Sequence, residues 1–149
     1  MKLTTRSRYA VSALAEIARN YGARLTKRKE INHNEEISDS YLEDLLVALK
    51  NGGLLFTSRG SKGGYALTRP PSKITMLDII TSQEGSLAPV KCLADSGYCH
   101  SADFCLTKKI WEIFYETIKN SLSSITLQDV IESTKDYKKK RGPKVRKFC

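Results

Sequence analysis

Three cysteines, Cys92, Cys99 and Cys105, fall within one polar segment, CLADSGYCHSADFC. Nothing structural demands thiols there, and three thiols gathered in one loop can hold a metal ion or a metal cluster. The N-terminus, MKLTTRSRYAVSAL, lacks the continuous apolar core and small-residue cleavage site of a secretory signal, and no apolar run approaches the ~20 residues of a membrane span. A cytoplasmic location without membrane contact is expected. In that reducing compartment four cysteines act as metal ligands or redox-active thiols more often than as a disulfide frame.

The elements that would position this loop are legible in the hydrophobic spacing. From Arg6 to Tyr21, Tyr9, Ala10, Ala13, Leu14, Ile17, Ala18 and Tyr21 recur at helical intervals, with Gly22 as the stop. A short helical segment follows at about Lys27 to Glu35, anchored by Ile31. In ISDSYLEDLLVALKNGG, Ile37, Tyr41, Leu42, Leu45, Leu46 and Leu49 form a wide apolar stripe that ends at Gly52 and Gly53. Ser38 or Ser40 can cap that helix, the latter with Glu43 three residues on in capping-box spacing. Leu54 to Arg59 and Tyr65 to Thr68 read as two short strands joined by the basic, glycine-rich turn GSKGG. Two helices followed at once by a hairpin give the order of a winged helix-turn-helix.

Charge divides the chain in the same way. Residues 1–73 carry 13 basic and 7 acidic side chains, residues 74–137 carry 5 and 9, and residues 138–149 carry 7 and none. A basic first module fits polyanion binding, although ordinary solvation charge gives a similar excess. In such a module the second helix enters the major groove and the wing's cations reach phosphate or the minor groove. Ser38, Ser40, Tyr41 and Glu43 lie on the expected reading side, and Arg59 and Lys62 mark the wing. Each has a plainer role open to it: the serines as caps, Glu43 as a capping-box acid, Arg59 as a solvated hairpin charge. A glutamate facing DNA repels phosphate and is useful only where it accepts from a cytosine amino group.

Beyond the wing, Thr75-Met-Leu-Asp78 and Thr126-Leu-Gln-Asp129 both repeat a capping threonine with an acid three residues later, and each starts a helix. Between them, from about Leu106 to Leu122, Leu106, Ile110, Ile113, Phe114, Ile118 and Leu122 line one side of a long helix, widened by Trp111 and Tyr115. So wide an apolar arc needs more than one neighbour. The second is expected to be the same helix of another subunit, and a two-fold homodimer would present two reading helices to a palindromic double-stranded operator. The fold class is mainly α: a winged helix-turn-helix with a small β-hairpin wing plus a long C-terminal dimerisation helix. The expected divisions are 1–73 for DNA binding, 74–133 for the cysteine loop and dimerisation helices, and 134–149 for a basic, disordered tail.

MKLTTRSRYAVSAL, ISDSYLEDLL, SRGSKGGYAL, the three-cysteine loop and CLTKKIW together resemble the IscR-type regulators of the Rrf-two superfamily, over roughly residues 1 to 133. The resemblance implies a bacterial dimeric transcription regulator, in which Cys92, Cys99 and Cys105 ligate an iron-sulfur cluster, of the 2Fe-2S type, whose occupancy selects promoters. It puts Ser38, Ser40, Tyr41 and Glu43 at bases and Arg59 in the minor groove, with Glu43 discriminating between two classes of site. Two departures stand out. The family's histidine ligand, three residues after the third cysteine, is Lys108 here, and an ammonium cannot ligate while protonated. Arg8 replaces the aspartate that ligates in some relatives.

The candidates for a fourth ligand are therefore His100, Asp95, Asp103 and Cys149. His100 would suit a Cys3His zinc site, which makes zinc the rival cofactor, and it can equally be solvated. Cys149 follows the basic stretch KKKRGPKVRKF, whose charges add salt-dependent affinity for DNA or merely solubilise the end. The expected function is cluster-controlled regulation of cluster-assembly or cysteine-metabolism genes. The alternatives are a zinc or thiol-redox loop on the same DNA-binding head, or a clusterless regulator acting through a partner enzyme such as cysteine synthase. An enzyme is not expected, because neither His33 nor His100 sits in an acid-base or nucleophile arrangement.

Overall fold

In the computed structural model of the chain, residues 3–32, 37–95, 97–99 and 104–141 are described, with side chains as far as residue 134. The first helix, α1, spans Thr5–Ala18, and its cap Thr4 accepts a hydrogen bond from the Arg6 N–H. It ends short of the expected Tyr21 because the chain turns at Arg19, and Tyr21 is exposed. The buried side of α1, carrying Ala10, Ala13, Leu14 and Ile17, is the stripe expected from the spacing. One turn, α2 (Arg28–Ile31), precedes α3 (Asp39–Asn51), which buries Leu42, Leu45, Leu46 and Leu49. The expected extension of α2 to Glu35 falls on residues 33–36, outside the described ones.

The strands β1 (Leu55–Ser58) and β2 (Gly64–Leu67) pair antiparallel, with Leu55 opposite Leu67 and Ser58 opposite Gly64. Leu55 and Leu67 turn inward while Phe56 faces out, so the hairpin has one dry side. A 3-10 turn at Pro71–Lys73 leads to α4 (Met76–Glu84). The capping box expected at its start is formed: the Asp78 N–H donates to Thr75 Oγ1 at 3.1 Å, and the Thr75 N–H donates to the Asp78 carboxylate at 2.9 Å. Glu84, at the far end of α4, accepts from the Thr4 and Ser7 hydroxyls at 2.7 and 2.6 Å and clamps the start of α1.

A four-residue helix, α5 (Lys91–Ala94), lies within what reads as loop in the sequence. The long α6 spans Lys108–Ser124 and α7 spans Leu127–Arg141. The second capping box is present too, with Asp129 and Thr126 exchanging hydrogen bonds at 2.8 and 3.2 Å. An isolated bridge joins Thr75 to Thr126, and behind it Leu127 is fully buried in the core formed by α1, α3, Leu54, Leu55, Leu67, Ile74 and Ile79. The core is thus continuous across residue 73. The helix α7 also runs past residue 133 into the segment expected to be a disordered tail. Lys, Arg and Tyr there all tolerate a helix, and the Gly142-Pro143 pair that would stop one comes only afterwards. Residues 142–149, including Cys149, lie outside the described ones.

Candidate functional site

Ser38 caps α3, accepting from the Tyr41 N–H at 3.2 Å. Ser40 therefore falls inside the first turn and is exposed. This choice of cap settles Glu43 as well: it lies beyond the capping-box position and carries a solvent-facing carboxylate. Tyr41 is half-buried, its ring edge-on to Tyr9 of α1 with centroids 5.9 Å apart, so part of it belongs to the scaffold. Arg59 follows β1 and Lys62 sits in the hairpin turn, both exposed. Gly60 takes φ +97° in that turn, a conformation that favours glycine.

The structure adds residues that sequence reasoning missed. The concavity between α3 and the wing is lined by Lys27, Arg28, Glu43, Val47, Lys50 and Arg59, among others. Its lining includes the four cations Lys27, Arg28, Lys50 and Arg59 against the one carboxylate of Glu43, which suits a phosphate backbone. Val47 is exposed beside them and offers an apolar contact of the kind a thymine methyl accepts. Lys27 ties this surface together: its ammonium donates to the carbonyls of Ser61 and Gly63, each at 2.7 Å, and so holds the wing turn. Next to it the Thr26 and Tyr65 backbones exchange two hydrogen bonds of 2.9 Å. Arg28 reaches the other way, to Glu43 of α3 at 3.3 Å. A third brace, between Arg24 and Glu30, is bidentate at 2.6 and 3.0 Å. That guanidinium, with the Lys27 N–H, holds the Glu30 carboxyl down to about 2. The contacts of Lys27 and Arg28 join residues distant in sequence, and only the basic character of the Lys27-Arg28-Lys29 run signals them.

Cys92 is half-buried on α5, Cys99 is half-buried, and Cys105 is exposed immediately before α6. The Cys105 Sγ lies 3.5 Å from the Thr107 hydroxyl. That hydroxyl and the Thr107 backbone N–H, with lesser help from the Lys108 N–H and charge, pull the thiol below its ordinary range against the opposing effect of burial. Three soft thiols, the third biased toward thiolate, are the donor chemistry that an iron-sulfur cluster or zinc requires. Among the described residues, however, no group of three or more His, Cys, Asp or Glu side chains is drawn together to hold a metal ion. Of the fourth-ligand candidates, Asp95 ends α5 and accepts from the Gly97 N–H at 2.9 Å. His100, Asp103 and Cys149 lie outside the described residues. Arg8 is exposed on α1, its guanidinium 4.9 Å from the centre of the Tyr9 ring.

Residues 3–133 match the Rrf2 family model, described as an iron-dependent transcriptional regulator. The protein NMA1593 of Neisseria meningitidis serogroup A, named as an HTH-type transcriptional regulator, is 39% identical over 132 residues, covering 89% of this chain and 88% of its own. The solved structure of CymR, the global cysteine regulator of Bacillus subtilis, superposes with a TM-score of 0.68 at 34% identity, covering 89% of this chain and 98% of that one. IscR of T. potens gives 0.68 at 32% identity, covering 97% and 94%. The family match spans the winged helix-turn-helix, the cysteine segment and α6. The chain belongs to the Rrf2 family and is a DNA-binding transcription regulator, not an enzyme.

Proposed function

We propose that the chain acts as a homodimer on a palindromic operator, and that an iron-sulfur centre held by Cys92, Cys99 and Cys105 determines which operators it binds. The observation that carries this reading is the pairing of a cation-lined reading surface with three closely spaced thiols, the last biased toward thiolate. Residues 1–73 serve as the DNA-binding head, with Ser38, Ser40, Tyr41 and Glu43 toward bases and Arg59 and Lys62 toward the wing's groove. Residues 74–133 carry sensing and dimerisation, and the basic residues of 134–149 add salt-dependent affinity. Dimerisation is supported by α6: among the described residues none of those in α6 is buried, yet Ile110, Ile113, Phe114 and Trp111 are exposed along it.

A cluster would supply a charge and a ligand demand that change with iron and oxidant supply. Fixing Cys92 and Cys105 at one centre constrains the segment between α5 and α6. From there α6 packs on α4, and α4 packs on α3, where the Gln83 side chain donates to the Leu45 carbonyl at 3.3 Å. That chain of contacts would let a constraint at the start of α6 reach α3. Targets in cluster assembly or cysteine metabolism fit this reading. Purification without air followed by assay of iron, acid-labile sulfide and zinc per chain tests it. Iron with matching sulfide, lost on replacing all three cysteines by alanine while the dimer persists, is the expected result; stoichiometric iron in that triple variant would refute the ligand assignment. A second reading, zinc or thiol-redox control, draws on the same three free thiols, whose soft donors suit zinc as well as iron. It predicts colourless protein.

A further inference from the structure

We propose that Arg28 sets how strictly Glu43 selects the base it meets, by holding the Glu43 carboxylate in an ion pair that must open before the carboxylate can read a cytosine. This rests on the assignment of α3 as the DNA-reading helix and deepens it. Arg28 is the first residue of α2, and its Nη1 lies 3.3 Å from Glu43 Oε2 while its Nη2 lies 3.7 Å from Asp39 Oδ2. Asp39 and Glu43 are four residues apart on α3 and share a face, so one guanidinium bridges both carboxylates. Asp39 is steadied from its other oxygen by the Asn32 amide at 3.3 Å. All three ionic side chains remain accessible, 41%, 69% and 63% exposed for Arg28, Asp39 and Glu43. Both Arg28 and Glu43 line the concavity that would receive DNA.

In water such a pair is weak. Against DNA, water is displaced and the local dielectric falls, so the pairing gains weight at the moment of recognition. A carboxylate aimed at base edges finds a donor at the cytosine amino group and is otherwise unsatisfied and repelled by phosphate. Arg28 alters both outcomes. Where cytosine is absent, the carboxylate keeps its guanidinium partner and the mismatch costs less. Where cytosine is present, the pair must open or share, so the match gains less. The two effects compress the ratio between matched and mismatched sites, and an Arg28 released from Glu43 has a planar fork that fits a phosphate. Arg28 is thus a positioning residue: it acts on base choice through Glu43.

The test uses the full-length protein. Operators are first selected from a randomised duplex pool with the wild type. Binding is then measured on matched duplexes differing at one base pair per half-site, for wild type, Arg28→Leu, Glu43→Ala and the double variant. Arg28→Leu is expected to bind all duplexes more weakly, yet to raise the preference for cytosine over other bases at one position by about fivefold, the upper range for an exposed pair. In the Glu43→Ala background Arg28→Leu should leave that preference unchanged, and Arg28→Lys alone should give an intermediate ratio. A uniform loss across all duplexes, with the cytosine ratio unmoved, would show Arg28 to be a phosphate contact and overturn the inference. If the wild type selects an operator and Glu43→Ala selects the same one, Glu43 reads no base; the inference fails while α3 keeps its role through other residues. If the wild type enriches no sequence, the assignment of α3 as reader falls, and the inference with it.

Discussion

Replacing Gly64 by alanine would strike the wing where it leans on the body of the molecule. A Cβ added there would stand 2.7 Å from the Thr26 carbonyl oxygen and 3.1 Å from Leu25 Cβ. That carbonyl cannot swing away as a side chain would, because it accepts the Tyr65 N–H at 2.9 Å while the Thr26 N–H donates back to Tyr65 at the same distance. Thr26 is itself fully buried, its hydroxyl accepting from Asn20 at 2.9 Å. The strand must therefore withdraw by several tenths of an ångström. Overpacking of this kind costs about 1–3 kcal/mol, and loss of one bridging hydrogen bond adds about 1 kcal/mol. The reduced freedom of the unfolded chain offsets about 0.4–1 kcal/mol. The net destabilisation expected from urea unfolding is then about 1–4 kcal/mol. Because Arg59 and Lys62 ride on the hairpin, fluorescence anisotropy with a labelled operator at fixed salt should show weakened binding as well. Gly22→Ala is the control: φ is +77° with nothing within 4 Å, so backbone strain of about 1–2 kcal/mol is expected without loss of operator affinity. Wild-type stability together with wild-type affinity in Gly64→Ala would refute the argument that this close approach positions the wing.

Leu127→Ala should cost about 2–5 kcal/mol in urea unfolding, since the side chain is fully buried in the shared core; a value below 1 kcal/mol would mean that α7 does not dock there. Arg59→Ala should weaken operator binding by about 1–3 kcal/mol if the arginine enters a groove, and unchanged affinity would mark it as a surface charge. Acid should destabilise the protein through groups whose carboxyls are depressed by folding. Arg24 lowers Glu30 to about 2, and Thr126 lowers Asp129; at Asp78 burial pushes upward but is outweighed by hydrogen bonds from Thr75 and Arg69. Such groups hold more protons unfolded than folded, so stability present above their ordinary range is lost as pH falls, for Glu30 between about 4.5 and 2. The urea midpoint should drop across that window, and a Glu30→Gln variant whose profile matches the wild type would show that the Arg24 brace contributes nothing.

What could be read from the sequence was what depends on neighbours in sequence. The stripes of α1 and α3, the hairpin and the two threonine-acid caps rest on local periodicity and hydrogen bonds spanning three residues, and all are in place. The cap of α3 was ambiguous between Ser38 and Ser40 because both have a competent hydroxyl. Ser38 takes the role, which frees Glu43 for Arg28. The braces from Lys27 and Arg28 and the bridge between Thr26 and Tyr65 join positions 11 to 39 residues apart, and no periodicity encodes them. α5 escaped notice because four residues are too short to show a helical stripe. The reach of α7 was missed because a run of lysines reads as charge before it reads as helix former.

The bridge between Thr75 and Thr126, with Met76 N–H donating to Ile125 and Leu127 N–H to Ile74, each at 2.8 Å, brings the chain back to within a strand's width of where α4 begins. Thr75 and Thr126 are therefore neighbours in the fold, and the chain between them first packs α4 on α1 and α3, burying Ile79 and Ile80, before it passes on through α5 and α6. Because the cost of closing a loop grows slowly with its length, chain added between α5 and α6 costs little once that bridge is made. The bridge thus acts as a staple: it keeps the capped starts of α4 and α7 in register with each other and with the core, whatever the length of the chain that runs between those two helices.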